Sequence, residues 1–124
     1  MTEDGIPADL RDFIMKSIDS VGELEALLLL RGHSDVTWAL PELAKRLYVN
    51  EAEATAILGH LVAQGFIIEQ SGAIGYDRQG PHVAIVDRLA DTYTRQLIPI
   101  TNLIHAKPRR IRAFADAFKL KRDK

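Results

Sequence analysis

Residues 37–78 read TWALPELAKRLYVNEAEATAILGHLVAQGFIIEQSGAIGYDR. Apolar side chains recur at helical spacing in Pro41–Leu47, and again in Glu51–Gln64 after a tight corner, which predicts two consecutive helices. The β-rich run that follows reaches the pair Ser71 and Gly72 and then alternates apolar with small residues, which predicts a strand, a turn and a returning strand. The stretch therefore predicts helix, helix and β-hairpin in that order.

Residues at the ends of the second helix support its placement. Asn50 can accept a hydrogen bond from the unpaired amides of the first turn, and Glu53 can reach back to the Asn50 backbone as in a capping box. Gly65 suits the left-handed exit from a helix, since it has no side chain to clash. Pro41 suits the first turn of the preceding helix, where a missing amide costs little.

From these features we predict a mostly α chain with a small β-hairpin, arranged as a winged helix-turn-helix with an extra N-terminal helix and long C-terminal helices. We expect Val36–Trp38 to add a short first strand that pairs with the hairpin. Residues 1–124 would form one domain, with N-terminal helices in 10–36, the helix-turn-helix and wing in 37–78, and dimerisation helices in 82–124. The alternative is an ordinary helical hairpin beside a β-hairpin.

Helical periodicity after the hairpin predicts a long helix that continues to Ile104, with a break near Gln96–Ile98 because Pro99 lies inside it. A last amphipathic helix is expected in 109–124. These apolar stripes need a cover, and a second copy of the chain is an economical one. We therefore predict a homodimer whose interface includes Tyr93, Leu97, Ile100, Ile104, Ile111, Phe114 and Phe118. The alternative is that these helices fold back on their own module.

Composition narrows the class of protein. The chain has 124 residues, of which 47% are hydrophobic and 27% charged, as in globular domains. Cysteine is absent, which excludes disulfides, thiolate catalysis and cysteine-based metal sites. No apolar run approaches membrane-spanning length, and the start of the chain is acidic where a signal peptide would be basic. We expect a cytoplasmic protein without a membrane span.

Charge is distributed unevenly along the chain. Residues 1–65 carry five Lys and Arg against eleven Asp and Glu, whereas residues 66–124 carry eleven against six. Much of the positive charge lies in residues 109–124, which have seven Lys and Arg against two Asp. The predicted helix-turn-helix therefore lies mostly in the acidic half of the chain.

Residues 37–78 and the long helix after them resemble the winged helix-turn-helix transcription regulators of the MarR-like type. The segment Ala52–Ile67 is similar to their recognition helix running into the first wing strand, with Leu61, Gly65 and Phe66 matching the pattern at the helix end. The resemblance implies a DNA-binding transcriptional regulator that acts as a homodimer on double-stranded DNA. Its candidate nucleic-acid-binding residues here are Lys45, Arg46, Thr55, Ala56, His60 and Arg78.

The residue types on the predicted recognition helix favour a different function. Phosphates supply most of the affinity for DNA and require Lys or Arg, yet this helix begins with Glu51 and Glu53. The alternative is a winged-helix protein–protein interaction module that does not bind DNA. A third interpretation follows from residues 109–124, whose basic and aromatic residues would suit a membrane surface or nucleic acid.

Catalysis has little support in the sequence. The four histidines are isolated from one another, and none has a second histidine or a carboxylate at ligand spacing on one helical face. There is no phosphate-binding glycine loop and no Ser/His/Asp pattern. We therefore predict no metal site, no cofactor and no enzymatic activity.

Overall fold

The apolar periodicity of the chain folds into helices and one two-stranded antiparallel sheet in the computed structural model, which describes residues 5–106. In chain order the elements are α1 (Ala8–Ser17), α2 (Val21–Gly32), α3 (Leu40–Leu47), α4 (Glu51–Ala63), β1 (Ile67–Gln70), β2 (Ala73–Tyr76), α5 (Val83–Arg95) and α6, which is helical over residues 97–106. The predicted class, mostly helical with a small β-hairpin, is confirmed.

The chain divides into two compact units. One is Gly22–Asp91, and the other combines the segments Met1–Val21 and Thr92–Lys124, of which the structure describes residues 5–21 and 92–106. The first unit contains the helix-helix-hairpin stretch. The expectation of a single domain over the whole chain stays a prediction.

The corner between α3 and α4 is held by local hydrogen bonds. Tyr48 adopts a left-handed backbone conformation with φ 59°, and the N–H of the next residue, Val49, donates to the Ala44 carbonyl at 3.1 Å. Asn50 then caps α4, because its Oδ1 accepts from the Glu53 N–H at 2.7 Å. The predicted cap is confirmed in this bond. It satisfies one of the amides that the first turn of a helix leaves unpaired.

The buried faces of the two helices meet at this corner. On α3 the buried residues are Leu43 and Ala44. On α4 they are Ala54, Ile57, Leu58 and Leu61. Val62 is apolar as well, but it is 41% exposed. The reason is that Val62 lies about 100° around the helix from Leu61, beyond the edge of the buried face.

The hairpin follows directly from the end of α4. Gly65 has φ +84°, and the two-residue turn of Ser71 and Gly72 has positive φ at both positions, as expected of a tight hairpin with the twist of its strands. Strands β1 and β2 pair antiparallel from Ile67 opposite Tyr76 to Gln70 opposite Ala73. The predicted turn and both strands are confirmed.

The segment before α3 joins the hairpin at one point. Trp38 and Ile74 exchange both backbone hydrogen bonds at 2.8 Å, forming an isolated antiparallel bridge. The expected strand Val36–Trp38 is therefore shortened to one paired residue. The pairing stops because hydrogen-bonded positions alternate along a strand, and the next one, Leu40, is already the first residue of α3. The amide of Ala39 instead donates to Glu42 Oε1 at 3.0 Å.

The unit that contains the chain ends has its own buried residues. They are Ile6, Leu10, Ile14, Ile18, Thr92, Ile100 and Ile104. The expected break is confirmed, since α5 ends at Arg95 and the chain is helical again from residue 97. Pro99 has no N–H to donate to the carbonyl of Arg95, and its ring would clash with that carbonyl in a continuous helix.

The expected dimer interface stays a prediction. Two of its residues, Ile100 and Ile104, are fully buried in the single chain. By contrast, Leu97 is 49% exposed and its neighbour Ile98 is 63% exposed, while Tyr93 is half-buried. The other expected interface residues, Ile111, Phe114 and Phe118, lie outside the described residues.

None of the helices described between residues 5 and 106 has both the length and the hydropathy that crossing a membrane requires.

Two glycines in and after α4 should respond oppositely to alanine. Gly65→Ala should lower the free energy of unfolding by about 1 kcal/mol, because the new side chain must adopt a left-handed conformation. Gly59→Ala should raise it by about 0.5–1 kcal/mol, since Gly59 lies inside the helix and a Cβ there contacts nothing within 4 Å. Urea denaturation measures both, and a change of the same sign in the two variants would contradict this assignment.

Candidate functional site

A groove runs between α4 and the hairpin, within the unit Gly22–Asp91. Its volume is about 450 Å³. The residues that line it are Leu40, Thr55, Leu58, Gly59, Val62, Glu69, Gly72 and Ile74. We call it the α4–hairpin groove.

Helical geometry explains why α4 supplies one wall. Thr55, Leu58 and Val62 follow one another at three- and four-residue intervals, so they form a single stripe beside the buried face. Gly59 leaves open space in the groove, since it has no side chain and a Cβ at that position would meet nothing within 4 Å. Residues on the solvent side of a surface helix are normally polar. Val62 is apolar although it is half exposed, and it makes this wall of the groove apolar.

The hairpin supplies the opposite wall. The side chain of Ile74 is buried, and its backbone is fixed by the bridge to Trp38. Glu69 stands opposite Ile74 in the strand register, and its carboxylate accepts from the Gly72 N–H at 3.3 Å in the hairpin turn. An acidic group is therefore held beside an otherwise apolar groove.

The charge around this groove is negative. Glu51 lies one turn before Thr55 on the same stripe of α4, and Glu69 lines the hairpin side. From Glu51 to Ala63 the helix contains neither Lys nor Arg. The sequence of the whole unit Gly22–Asp91 has ten Asp and Glu against five Lys and Arg, a net charge of −5.

Of the predicted nucleic-acid-binding residues on α4, Thr55 lines the groove and Ala56 is exposed beside it. The Thr55 hydroxyl donates to the Glu51 carbonyl at 2.8 Å, so its proton is already used within the helix.

The third of these residues, His60, is committed to another contact. Its Nδ1 lies 2.8 Å from Glu23 Oε1, and because a carboxylate only accepts, the ring donates this hydrogen bond. Glu23 is buried on α2, and His60 Nε2 lies 3.2 Å from the Gln64 amide nitrogen. The imidazole therefore hydrogen-bonds a buried carboxylate of its own unit.

Lys45 and Arg46 lie at the end of α3, and both are exposed. The Arg46 guanidinium lies over the Trp38 ring, 5.2 Å from its centroid, a cation–π contact. The next exposed residue is Tyr48, 95% exposed at the corner. We call Lys45, Arg46 and Tyr48 the corner cluster.

Arg78 lines a different cavity, of about 410 Å³, together with Arg31, Tyr76 and Asp87. Arg31 Nε and Asp87 Oδ1 form an ion pair at 2.9 Å between α2 and α5. Burial raises the pKa of the Tyr76 phenol above its ordinary value of 10.0, and the negative charge of Asp87 raises it further. Arg78 therefore lines this second cavity and not the α4–hairpin groove.

Sequence patterns did not reveal the residues that shape this site. Nothing in the local sequence of Glu23 points to His60, which is 37 positions away. Leu40 and Glu69 belong to separate elements that meet only in the folded unit. The one available signal was that an acid in a strongly apolar helix needs a partner when it is buried.

Comparison with protein-family models, with curated proteins and with solved structures finds no significant match to this chain.

The contact between His60 and Glu23 should contribute to stability. His60→Ala removes a donor from a buried carboxylate and should lower the free energy of unfolding by about 1–3 kcal/mol. Thr55→Ala, on the exposed side of the same helix, serves as the control and should change it by less than about 0.5 kcal/mol. Urea unfolding followed by circular dichroism compares them, and equal effects would show that the His60 contact is unimportant.

Tyr76 should make the protein sensitive to alkaline pH. Because its pKa is higher in the folded than in the unfolded state, the associated stability is present below pH 10.0 and is lost as pH rises through the folded-state value. Tyr76→Phe should therefore lose less stability than the parent between neutral and alkaline pH. Thermal melting of parent and variant at neutral and at alkaline pH measures this difference in stability. Tyr48→Phe, at a fully exposed tyrosine, is the matched control and should behave as the parent does.

Proposed function

We propose that the unit Gly22–Asp91 is a winged helix-turn-helix. Three features support the proposal: the order of α2, α3 and α4, the hairpin that follows α4 directly, and the bridge between Trp38 and Ile74 in the position of a first strand. In this arrangement α4 corresponds to the recognition helix and the turn at Ser71 and Gly72 to the wing tip.

We further propose that this winged helix functions as a protein-interaction module. The observation that carries the proposal is the α4–hairpin groove, an apolar groove bordered by Glu51 and Glu69 on the surface where a DNA reader needs positive charge. These carboxylates would repel the phosphates of DNA, because the charges have the same sign. Since phosphate contacts supply most of the affinity for DNA, this surface is poorly suited to bind it. An apolar groove instead suits a protein segment that inserts apolar side chains between helix and hairpin.

DNA binding is the second candidate, and the corner cluster favours it. Lys45, Arg46 and Tyr48 are exposed just before the N-terminus of α4, which is the end that helix-turn-helix proteins direct at DNA. Two cations and a phenol suit contacts to phosphates, which position a protein without reading sequence. This candidate does not use the apolar groove.

We also propose that the chain forms a homodimer. Its support among the described residues is the adjacent pair Leu97 and Ile98, which lie side by side at the start of α6 and are about half exposed or more. Adjacent large apolar residues on the surface favour an interface, and identical chains associate most simply around a two-fold axis.

A titration of fluorescent random-sequence duplex DNA distinguishes the two candidates. For an interaction module we expect no binding at low ionic strength, because the surface of the unit is acidic. Binding that weakens steeply as salt is added would establish the DNA candidate, provided that Lys45→Glu with Arg46→Glu abolishes it. Lys16→Glu, which makes the same type of charge change on α1, is the control and should have no effect.

A peptide-display selection on the folded protein tests the groove directly. We expect the selected peptides to carry apolar residues at helical spacing flanked by Lys or Arg, and to shift the methyl NMR signals of Leu58, Val62 and Ile74. Val62→Asp should abolish their binding. Ile68→Asp replaces another half-exposed apolar residue that does not line the groove, and it should bind as the parent does. Equal binding by both variants would contradict the proposal.

A further inference from the structure

We propose that the α4–hairpin groove binds the carboxy-terminal segment of a second copy of this chain, residues 109–124. The inference rests on the proposed function, because it requires the groove to bind protein. It names the segment that the groove binds, and it provides a contact that would hold the proposed homodimer together. The segment lies outside the described residues, and its sequence complements the groove in charge and in apolar pattern.

Charge is the first complementarity between the two. The sequence of the unit Gly22–Asp91 has a net charge of −5, while residues 109–124 have seven Lys and Arg against two Asp, a net charge of +5. Two of the carboxylates, those of Glu51 and Glu69, are placed on the stripe and the strand that border the groove. Opposite charge at an interface speeds association and disfavours other partners.

Apolar pattern is the second complementarity. Ile111, Phe114 and Phe118 recur at the three- and four-residue intervals that place side chains on one helical face. The groove offers them an apolar lining that includes Val62, and its volume of about 450 Å³ lies within the roughly 300–1,000 Å³ typical of binding clefts. A segment that combines apolar residues at helical spacing with many basic residues matches an apolar groove bordered by carboxylates.

Symmetry favours a second copy as the source of the segment. Each chain carries one groove and one such segment, so two chains related by a two-fold axis form the same contact twice. Once the first contact has formed, the second is intramolecular and is strengthened by a high effective concentration. This raises the affinity of the pair without any additional kind of contact.

The absence of cysteine allows a direct test in the full-length chain. Thr55→Cys places a thiol in the groove, Ala115→Cys places one between Phe114 and Phe118, and Gln79→Cys places one on an exposed turn outside the groove. The Thr55→Cys and Ala115→Cys proteins are mixed under mild oxidation. We expect their mixed disulfide to form at least about tenfold faster than that between Gln79→Cys and Ala115→Cys, because docking raises the local thiol concentration.

Analytical ultracentrifugation of the full-length chain provides the second measurement. Val62→Asp, and Phe114→Asp combined with Phe118→Asp, should each convert the dimer to a monomer, whereas Ile68→Asp should remain dimeric. The groove variant and the tail variant should therefore weaken the dimer to the same extent. Circular dichroism checks that every variant is folded.

Three results would overturn the inference. The first is equal trapping rates at residues 55 and 79, and the second is a dimer that survives both groove and tail variants. The third is a disulfide within one chain when Thr55→Cys and Ala115→Cys are combined and diluted, because it would make the segment's own chain the partner. If the groove binds displayed peptides but traps no tail, this inference fails while the proposed function stands. If it binds neither, both fail.

Discussion

The pair of hydrogen bonds between Trp38 and Ile74 joins the segment before α3 to the hairpin after α4. Because the bonded residues are 36 positions apart, this single bridge closes a loop that contains both helices of the corner. It ties Ile74, which lines the groove, to the segment before α3. A two-stranded hairpin is marginal by itself, and packing against a helix with a third paired segment provides the support that it lacks.

The chemical character of the site follows from which side chains this arrangement leaves exposed. An apolar stripe on a surface helix costs free energy in water unless something covers it, and the stripe that includes Val62 continues past the buried face of α4. The acids near it have local structural reasons to be there: Glu51 lies in the first turn of α4, where the helix dipole favours negative charge, and Glu69 accepts a hydrogen bond in the hairpin turn. Together they place negative charge beside the apolar side chains of the groove, and the proposed protein-interaction function rests on this combination.

The contact between His60 and Glu23 gives His60 a structural role that its position in the sequence does not suggest. On the sequence alone His60 stands where a reading helix would present a side chain to DNA. In the folded unit it donates to a buried carboxylate of α2, and this contact links α2 to α4 at 2.8 Å. A donor that hydrogen-bonds a buried carboxylate contributes to stability, because an unpaired buried polar group costs free energy.

Signals within a few residues of one another were sufficient to predict much of this fold. They include the Asn50 cap, the glycines that end α4 and turn the hairpin, and the break before Pro99, all of which depend on backbone conformations that neighbouring residues set. Other features depend on residues that are distant in the sequence, and only the tertiary structure determines them. The exposure of Val62, the burial of Ile100 and Ile104, and the pairing of His60 with Glu23 each depend on which elements pack together. Periodicity identifies an apolar face but not what covers it, and for that physical reason the groove could be recognised only in three dimensions.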